Sequence, residues 1–282
     1  MEESDMEYLT RNLNIQDGDE YVSASRINTY IGCPRKYYFN YVMKAEKESF
    51  PAAMTFGSAA HAVIEHVYKK IKAGAGPTGE KELKDVSSRQ FDFHLERAYN
   101  ESDKIVYPNK AGQHNAGEMK DKLINTMVAW MDHCEMPTKV FGVETRFRSQ
   151  ITDPKTGEVK AKHLFGVVDA ITQRNGETIL EEHKTSARKW TDMDWDYALQ
   201  STLYLAAHPE IDKMQFNILI KTKVPSFQKG VTSRTTHEKK DAVDTLCRVM
   251  DAIDAEIFYP INSWRCTGCQ FYRQCRSGKA SA

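Results

Sequence analysis

The spacing of apolar residues divides the chain into segments of different period. Over residues 55–72, Ala60, Ile64, Val67 and Ile71 form one apolar stripe at helical spacing, and His61, Glu65 and Tyr68 fall on its flank. Helices are expected again at 81–105 and 117–135, with Gly74–Gly79 as a flexible link and Pro108–Gly117 as a loop. Near Lys139 the period drops to two. VFGVETRFRSQI alternates, DPKTG turns the chain at 153–157, and KHLFGVVDAIT leads to Asn175-Gly176 and then ETILEEHKTS. Asn-Gly between β-formers predicts a tight hairpin, because that turn needs positive φ at both central residues. A three-stranded antiparallel meander follows, with Leu164–Thr185 as its second hairpin. A helix is expected at about 193–208, with Trp195, Leu199, Leu203 and Ala206 inward and Gln200 and Tyr204 on the flank. KMQFNILIKTKV reads as a strand of a sheet interior, and 238–258 as a helix. Upstream, Ser23 or Ser25 caps a helix through Tyr30, Cys33-Pro34 breaks it, and Arg35–Met43 resumes as a Tyr-rich basic helix. Residues 1–20 read as a polar, loosely attached arm.

Composition narrows the possibilities without naming a function. At 282 residues the chain can bury a sizeable core in one domain or two packed ones, and 40% hydrophobic with 28% charged residues is a globular balance. Lys+Arg and Asp+Glu are both 39, so any basic footprint for a polyanion must be local. No apolar run is long enough to span a membrane, and the acidic start MEESDMEYLT lacks a secretory pattern. A cytoplasmic location is expected, where the six cysteines are not explained by structural disulfides.

The chemistry concentrates in two places. The hairpin brings Asp169 close to Glu182-His183-Lys184, and strand alternation points Glu182 and Lys184 to one side and His183 to the other. Two carboxylates and a lysine where apolar strands end suit a divalent metal that handles a phosphate anion. Glu144 on the preceding strand either joins them or pairs with Arg146 or Arg148. The second place is Cys266-x2-Cys269-x5-Cys275, a three-thiolate loop near the C-terminus, with Cys33 as the best fourth ligand. Four thiolates fit an iron–sulfur cluster or structural zinc, and His133 or His237 could compete for the fourth zinc position. Cys134 and Cys247 read as core thiols.

Taken in order, these segments resemble the PD-(D/E)XK nuclease superfamily, and within it the RecB-like, AddB-like branch that carries an iron–sulfur cluster and includes CRISPR-adaptation exonucleases and phage relatives. The resembling segments are SASRINTYIGCPRKYYFNYV, GSAAHAVIE (Gly57, His61, Glu65), GVVDA (Asp169), LEEHKTS (Glu182, Lys184), QSTLY (Gln200, Tyr204) and the C-terminal cysteines. They span roughly residues 21–276. Val168 stands where the superfamily's eponymous proline would precede Asp169.

The resemblance implies an α+β (α/β) fold with a restriction-endonuclease-like core of helix, three-stranded antiparallel meander, helix and strand. Residues 21–282 would form one nuclease domain, with a helical insertion at about 73–137 and a cluster segment at 259–276. It further implies that His61, Asp169, Glu182 and the His183 carbonyl hold Mg2+ or Mn2+, that Lys184 is the catalytic lysine, and that Gln200 and Tyr204 shape the site. Cys33, Cys266, Cys269 and Cys275 would hold a [4Fe-4S] cluster, with zinc the alternative. The expected activity is a metal-dependent DNA exonuclease acting on single-stranded ends, with Arg35, Lys36, Arg188 and Lys189 among the DNA contacts and recombination or CRISPR-adaptation proteins as partners. The competing expectation is a catalytically weak nucleic-acid-binding or assembly subunit.

Overall fold

The computed structural model describes residues 20–101, 104–107 and 115–277. The expected N-terminal arm lies outside these residues except for Glu20, as does most of the loop expected at Pro108–Gly117.

The first elements are β1 (Tyr21–Val22) and α1 (Ala24–Gly32). Ser23 caps α1 by accepting the Arg26 N–H at 3.3 Å. The extended backbone of Cys33 ends α1, and Pro34, which needs no N–H partner, opens α2 (Pro34–Tyr37); a π-helical turn, Tyr38–Val42, follows. After β2 (Phe50–Pro51) come three long helices: α3 (Ala52–Lys72), α4 (Glu80–Glu101) and, beyond β3 (Ile105–Val106), α5 (Ala116–His133). The meander is β4 (Lys139–Thr152), β5 (Val159–Arg174) and β6 (Glu177–Ser186). Asn175 and Gly176 take φ of 49° and 82°, the two positive values the hairpin turn requires.

Besides the short strands β1–β3, the last of which follows the end at Glu101 of the helix expected at 81–105, two segments differ from the sequence reading. The single helix expected at 193–208 is two, α6 (Asp192–Asp196) and α7 (Leu199–Ala207). A capping box between Thr191 and Asp194 starts α6. Trp195 then packs so tightly on Gly230 that a Cβ there would lie 2.6 Å from the indole ring. Trp195 therefore anchors α6 to a neighbouring strand instead of joining the apolar stripe of α7. That strand is the second difference. After β7 (Lys213–Ile220) the chain returns as β8 (Ser226–Ser233), which pairs antiparallel with β7. Its sequence, SFQKGVTS, buries only Gly230 and Thr232, so its inward face carries no apolar signal. Helix α8 (Thr236–Asp254), a 3-10 turn (Trp264–Gly268) and α9 (Tyr272–Ser277) complete the chain.

The sheet runs β1-β5-β6-β7-β8, with β4 on the other edge of β5. β4, β5 and β6 are antiparallel, and β7 is parallel to β6. Two apolar clusters flank the sheet. One joins α1, α7 and α8 to Val168, Ile171 and Leu180; the other joins α3, α4 and α5 to Val140, Ala170 and Leu219. The result is a mixed α/β architecture with helices on both faces, consistent with a restriction-endonuclease-like fold. Among the described residues no helix is long and apolar enough to cross a membrane.

Candidate functional site

The site forms where two strands part. The β5–β6 ladder ends at Ala170–Glu181, while β6 continues alongside β7 as far as Ser186. The next opposed pair, Asp169 and Glu182, therefore lies at the fork. There the His183 N–H, which is not used between β5 and β6, donates to Asp169 Oδ2 at 2.6 Å. The other edge of β5 is also interrupted. Val143–Ala170 and Thr145–Val168 are paired, but the rung between them, Glu144 opposite Asp169, is missing. Glu144 has φ of 50°, a left-handed conformation that costs a residue with a Cβ about 1–2 kcal/mol. The strained backbone aims Glu144 at its neighbours: His61 of α3, Glu144 and Asp169 bring ligand atoms within 4.8 Å of one another. His61 Nδ1 lies 3.4 Å from Asp169 Oδ1.

The electrostatics follow from crowding. Burial works against ionisation of Asp169, but the charge of His61 and the His183 N–H hold its carboxyl down at about 2. Burial also opposes protonation of His61, and the Asp169 carboxylate overrides it, raising His61 to about 9. Glu144 is pushed up to about 7, first by burial and then by Asp169. Glu182 rises to about 6 for the same two reasons, although Lys184 opposes the shift. Three carboxyl groups and an imidazole thus share a space where they cannot all hold charge without a cation.

Lys184 and Gln200 close the other side. Lys184 Nζ donates to Glu182 Oε1 and, at 3.1 Å, to Gln200 Oε1, while Gln200 Nε2 donates to Glu182 Oε1 at 3.0 Å. Burial would lower the Lys184 pKa, but Glu182 raises it overall, so Lys184 is an ammonium. Glu182 Oε2 is buried and has no partner. A buried carboxylate oxygen without a partner could serve a cation, although Glu182 is not among the three residues whose ligand atoms come within 4.8 Å of one another. Tyr204 is buried one turn beyond Gln200, its ring packed on Phe147 with centroids 4.9 Å apart. A Cβ on Gly166 would lie 2.4 Å from Phe147 and 2.9 Å from Tyr204, so only glycine lets the two rings approach β5.

On the opposite side of β6, Glu181 is fully buried. It accepts from Tyr68 at 2.8 Å, Thr172 at 2.5 Å, Arg174 at 2.7 Å and Asn217 at 2.7 Å. Asn217 also lies 3.2 Å from His183 Nδ1. The His183 side chain therefore lies on the Glu181 side of β6, as strand alternation predicts, with its ring edge-on to Tyr68 and to His61, the latter at a centroid distance of 6.1 Å.

The basic candidates are dispersed. Arg35 donates from Nε to Phe258 O at 2.7 Å and ties the N-terminal segment to the C-terminal one. Arg188 forms a forked pair with Asp194 at 2.7 and 2.9 Å. Lys36 is exposed beside the cysteines, and Lys189 is exposed beyond β6.

All four cysteines of the expected set, Cys33, Cys266, Cys269 and Cys275, are free and line one cavity together with Arg35, Lys36 and Arg276. The Ile261 N–H donates to Cys33 Sγ at 3.5 Å. Burial raises the Cys269 pKa, and Cys33 and Cys275 add to the effect. Among the described residues no three of these sulfurs lie within 4.8 Å of one another. His133 bonds Ala129 O and His237 pairs with Asp241, so neither belongs to this cavity.

A family model, the PD-(D/E)XK nuclease superfamily, matches residues 21–276. The chain belongs to the PD-(D/E)XK nuclease superfamily. Solved structures similar to this nuclease include a candidate exonuclease from Eubacterium rectale, with 12% identity, 96% of each chain covered and a TM-score of 0.47. Another is SSO0001, with 15% identity, 84% of this chain and 92% of the other covered, and a TM-score of 0.34. No curated protein matches the nuclease. The sequence reading left Glu144 open between this group and Arg146 or Arg148; in the fold it belongs with His61 and Asp169. Only its alternation with the paired residues around it hinted at that position.

Proposed function

We propose that the protein is a metal-dependent DNA nuclease, acting as an exonuclease on single-stranded ends. The observation that carries this reading is the orphaned Glu182 Oε2, set beside the His61–Asp169 pair while Lys184 and Gln200 hold Oε1. His61, Glu144, Asp169 and Glu182 would hold Mg2+ or Mn2+, with the His183 carbonyl in reach of the same ion. An imidazole among carboxylates suits Mn2+ as well as Mg2+. When bound, the ion would acidify a water and offset charge on the scissile phosphate.

The chain's own groups do the rest. Lys184, held as an ammonium between Glu182 and Gln200, meets the negative charge that develops on the phosphate. Its raised pKa makes it a poor proton acceptor, so its part is to stabilise charge and orient the water. Gln200 fixes both the carboxylate and the ammonium. Tyr204, packed on Gly166, fixes the helix that carries Gln200.

Release of acid-soluble label from single-stranded DNA with Mn2+ tests this reading. Lys184→Ala should lower the rate about 100-fold or more while the circular dichroism spectrum stays unchanged. DNA bound but never cut by the wild type would favour the assembly-subunit reading instead.

For the cysteine cavity we propose a [4Fe-4S] cluster. Zinc holds thiolates at about 2.3 Å, which puts the sulfurs about 3.8 Å apart, whereas among the described residues no three of these sulfurs lie within 4.8 Å of one another, which favours the wider cage of a cluster. Lys36, Arg35 and Arg276 around the cavity would offset the cluster's negative charge. Anaerobically purified protein should be brown, with iron and sulfide in equal amounts; a colourless protein with one equivalent of zinc would defeat the proposal.

A further inference from the structure

The side chain of His183 is a buried titratable group that the proposed chemistry leaves unused, since only its backbone carbonyl enters there. The residue is 2% exposed. Its tautomer follows from its neighbours. Gln215 Nε2 donates to Asn217 Oδ1 at 2.8 Å, and Asn217 Nδ2 donates to Glu181 Oε2 at 2.7 Å. The same amide nitrogen lies 3.2 Å from His183 Nδ1, so Nδ1 accepts and the ring proton sits on Nε2. That Nε2–H is buried and has no hydrogen-bond partner.

Two rings stand beside it. Tyr68 lies edge-on with centroids 5.5 Å apart and an interplanar angle of 80°, and His61 lies edge-on at 6.1 Å and 81°. Both distances are those of favourable edge-to-face pairs. Tyr68 and His61 are about two turns apart on α3 and share one face of that helix. Tyr68 is fixed, because it is fully buried and its hydroxyl donates to Glu181 at 2.8 Å. His61 is held less firmly: its side chain is 31% exposed, and its contact with Asp169 is 3.4 Å long. An imidazole so placed has freedom about its side-chain torsions, of which the ring torsion is broad. The His183 ring, pinned at Nδ1 by Asn217, is the rigid surface on the sheet side of His61.

We propose that the His183 side chain is a positioning residue: held by Asn217, it backs the His61 ring and keeps it turned toward Asp169 and Glu144. The inference rests on the reading of His61, Glu144 and Asp169 as ligands of one ion. It accounts for an imidazole where an apolar side chain would leave no N–H of its own unpaired. The ring supplies both an acceptor for Asn217 and an edge for His61.

Three variants of the full chain separate the ring from its hydrogen bond. His183→Phe keeps a ring and gives up the acceptor, His183→Gln keeps an acceptor and gives up the ring, and His183→Ala keeps neither. All three retain the backbone carbonyl. Met250→Ala, in the apolar cluster on the opposite face of the sheet, controls for lost stability. Mn2+ affinity is measured by calorimetry below the melting temperature, and the His61–Asp169 separation by crystallography of the metal-free variants. His183→Gln and His183→Ala should bind Mn2+ about 10- to 100-fold more weakly, the usual effect of losing a group that orients a metal ligand. In both, His61 Nδ1 should lie farther than 3.4 Å from Asp169 Oδ1. His183→Phe should recover most of the lost affinity although Asn217 loses its acceptor, and Met250→Ala should lower the melting temperature with Mn2+ affinity unchanged. Wild-type affinity in His183→Gln, or His183→Phe as weak as His183→Gln, would overturn the positioning role. That comparison decides the matter even if His183→Ala does not fold. A wild type that binds no Mn2+ would instead refute the metal reading, and the His61–Asp169 separation in the variants would then decide the positioning role alone.

Discussion

At the scale of single residues, Glu144 is the most informative. It combines a left-handed backbone, a raised carboxyl pKa and a place among candidate ligands. Replacing it with glycine removes both the strain and the crowded charge. Glu144→Gly should therefore raise the stability of the metal-free protein by about 1 kcal/mol and weaken Mn2+ binding, read by chemical unfolding and calorimetry. A loss of stability would mean that the carboxyl serves the fold. His61 gives a pH prediction. Its pKa rises from 6.5 to about 9 on folding. Its contribution to stability is thus fully present below pH 6.5 and lost as pH rises through 9. The metal-free protein should weaken over that window. Binding of Mn2+ at neutral pH should release protons, mainly from His61 and partly from Glu144, which is seen by titration in buffers of different ionisation heat. The sequence showed Asp169, Glu182 and Lys184 because alternation and the strand-ending positions marked them. It could not separate Glu144 from an ordinary surface glutamate, since its φ depends on a rung missing from a ladder formed with a distant segment.

At the scale of elements, the site depends on a fork between strands and on a helix that carries Gln200. Gly166 lets Phe147 and Tyr204 approach the sheet. Gly166→Ala should destabilise the protein by about 1–3 kcal/mol and lower activity beyond what the fraction folded explains, because α7 must move with Tyr204. Activity measured well below the melting temperature separates the two effects. The meander and the long helices were legible because each carries a clear period and, at Asn175-Gly176, an unambiguous turn. β8 was not, since the positions it buries are glycine and threonine, and its pairing is set by β7 and by Trp195. The division of the 193–208 segment was hidden for a related reason: Trp195 fits a helical stripe in sequence but packs against Gly230 in space.

At the scale of the whole molecule, the two ends of the described chain are zipped together. The Arg35 N–H donates to Tyr259 O at 3.1 Å, Tyr30 Oη donates to Ile257 O at 2.6 Å, and the Glu48 N–H donates to Gln270 O at 3.0 Å. The cysteine cavity lies along this seam. Cys33→Ser should bleach the proposed cluster and lower the thermal midpoint, while the seam's hydrogen bonds keep the fold recognisable by circular dichroism; an unchanged midpoint in iron-loaded protein would remove Cys33 from the ligand set. A cluster bound across the seam turns the polypeptide into a ring of roughly 230 residues, a closure that in the loop-entropy picture stabilises by about 5 kcal/mol. Proteases and unfoldases that begin at the N-terminal side could strip β1 and α1, which precede Cys33, but would have to break the cluster before they unravelled β4–β8, so an oxidant that removes iron would set how long the nuclease persists.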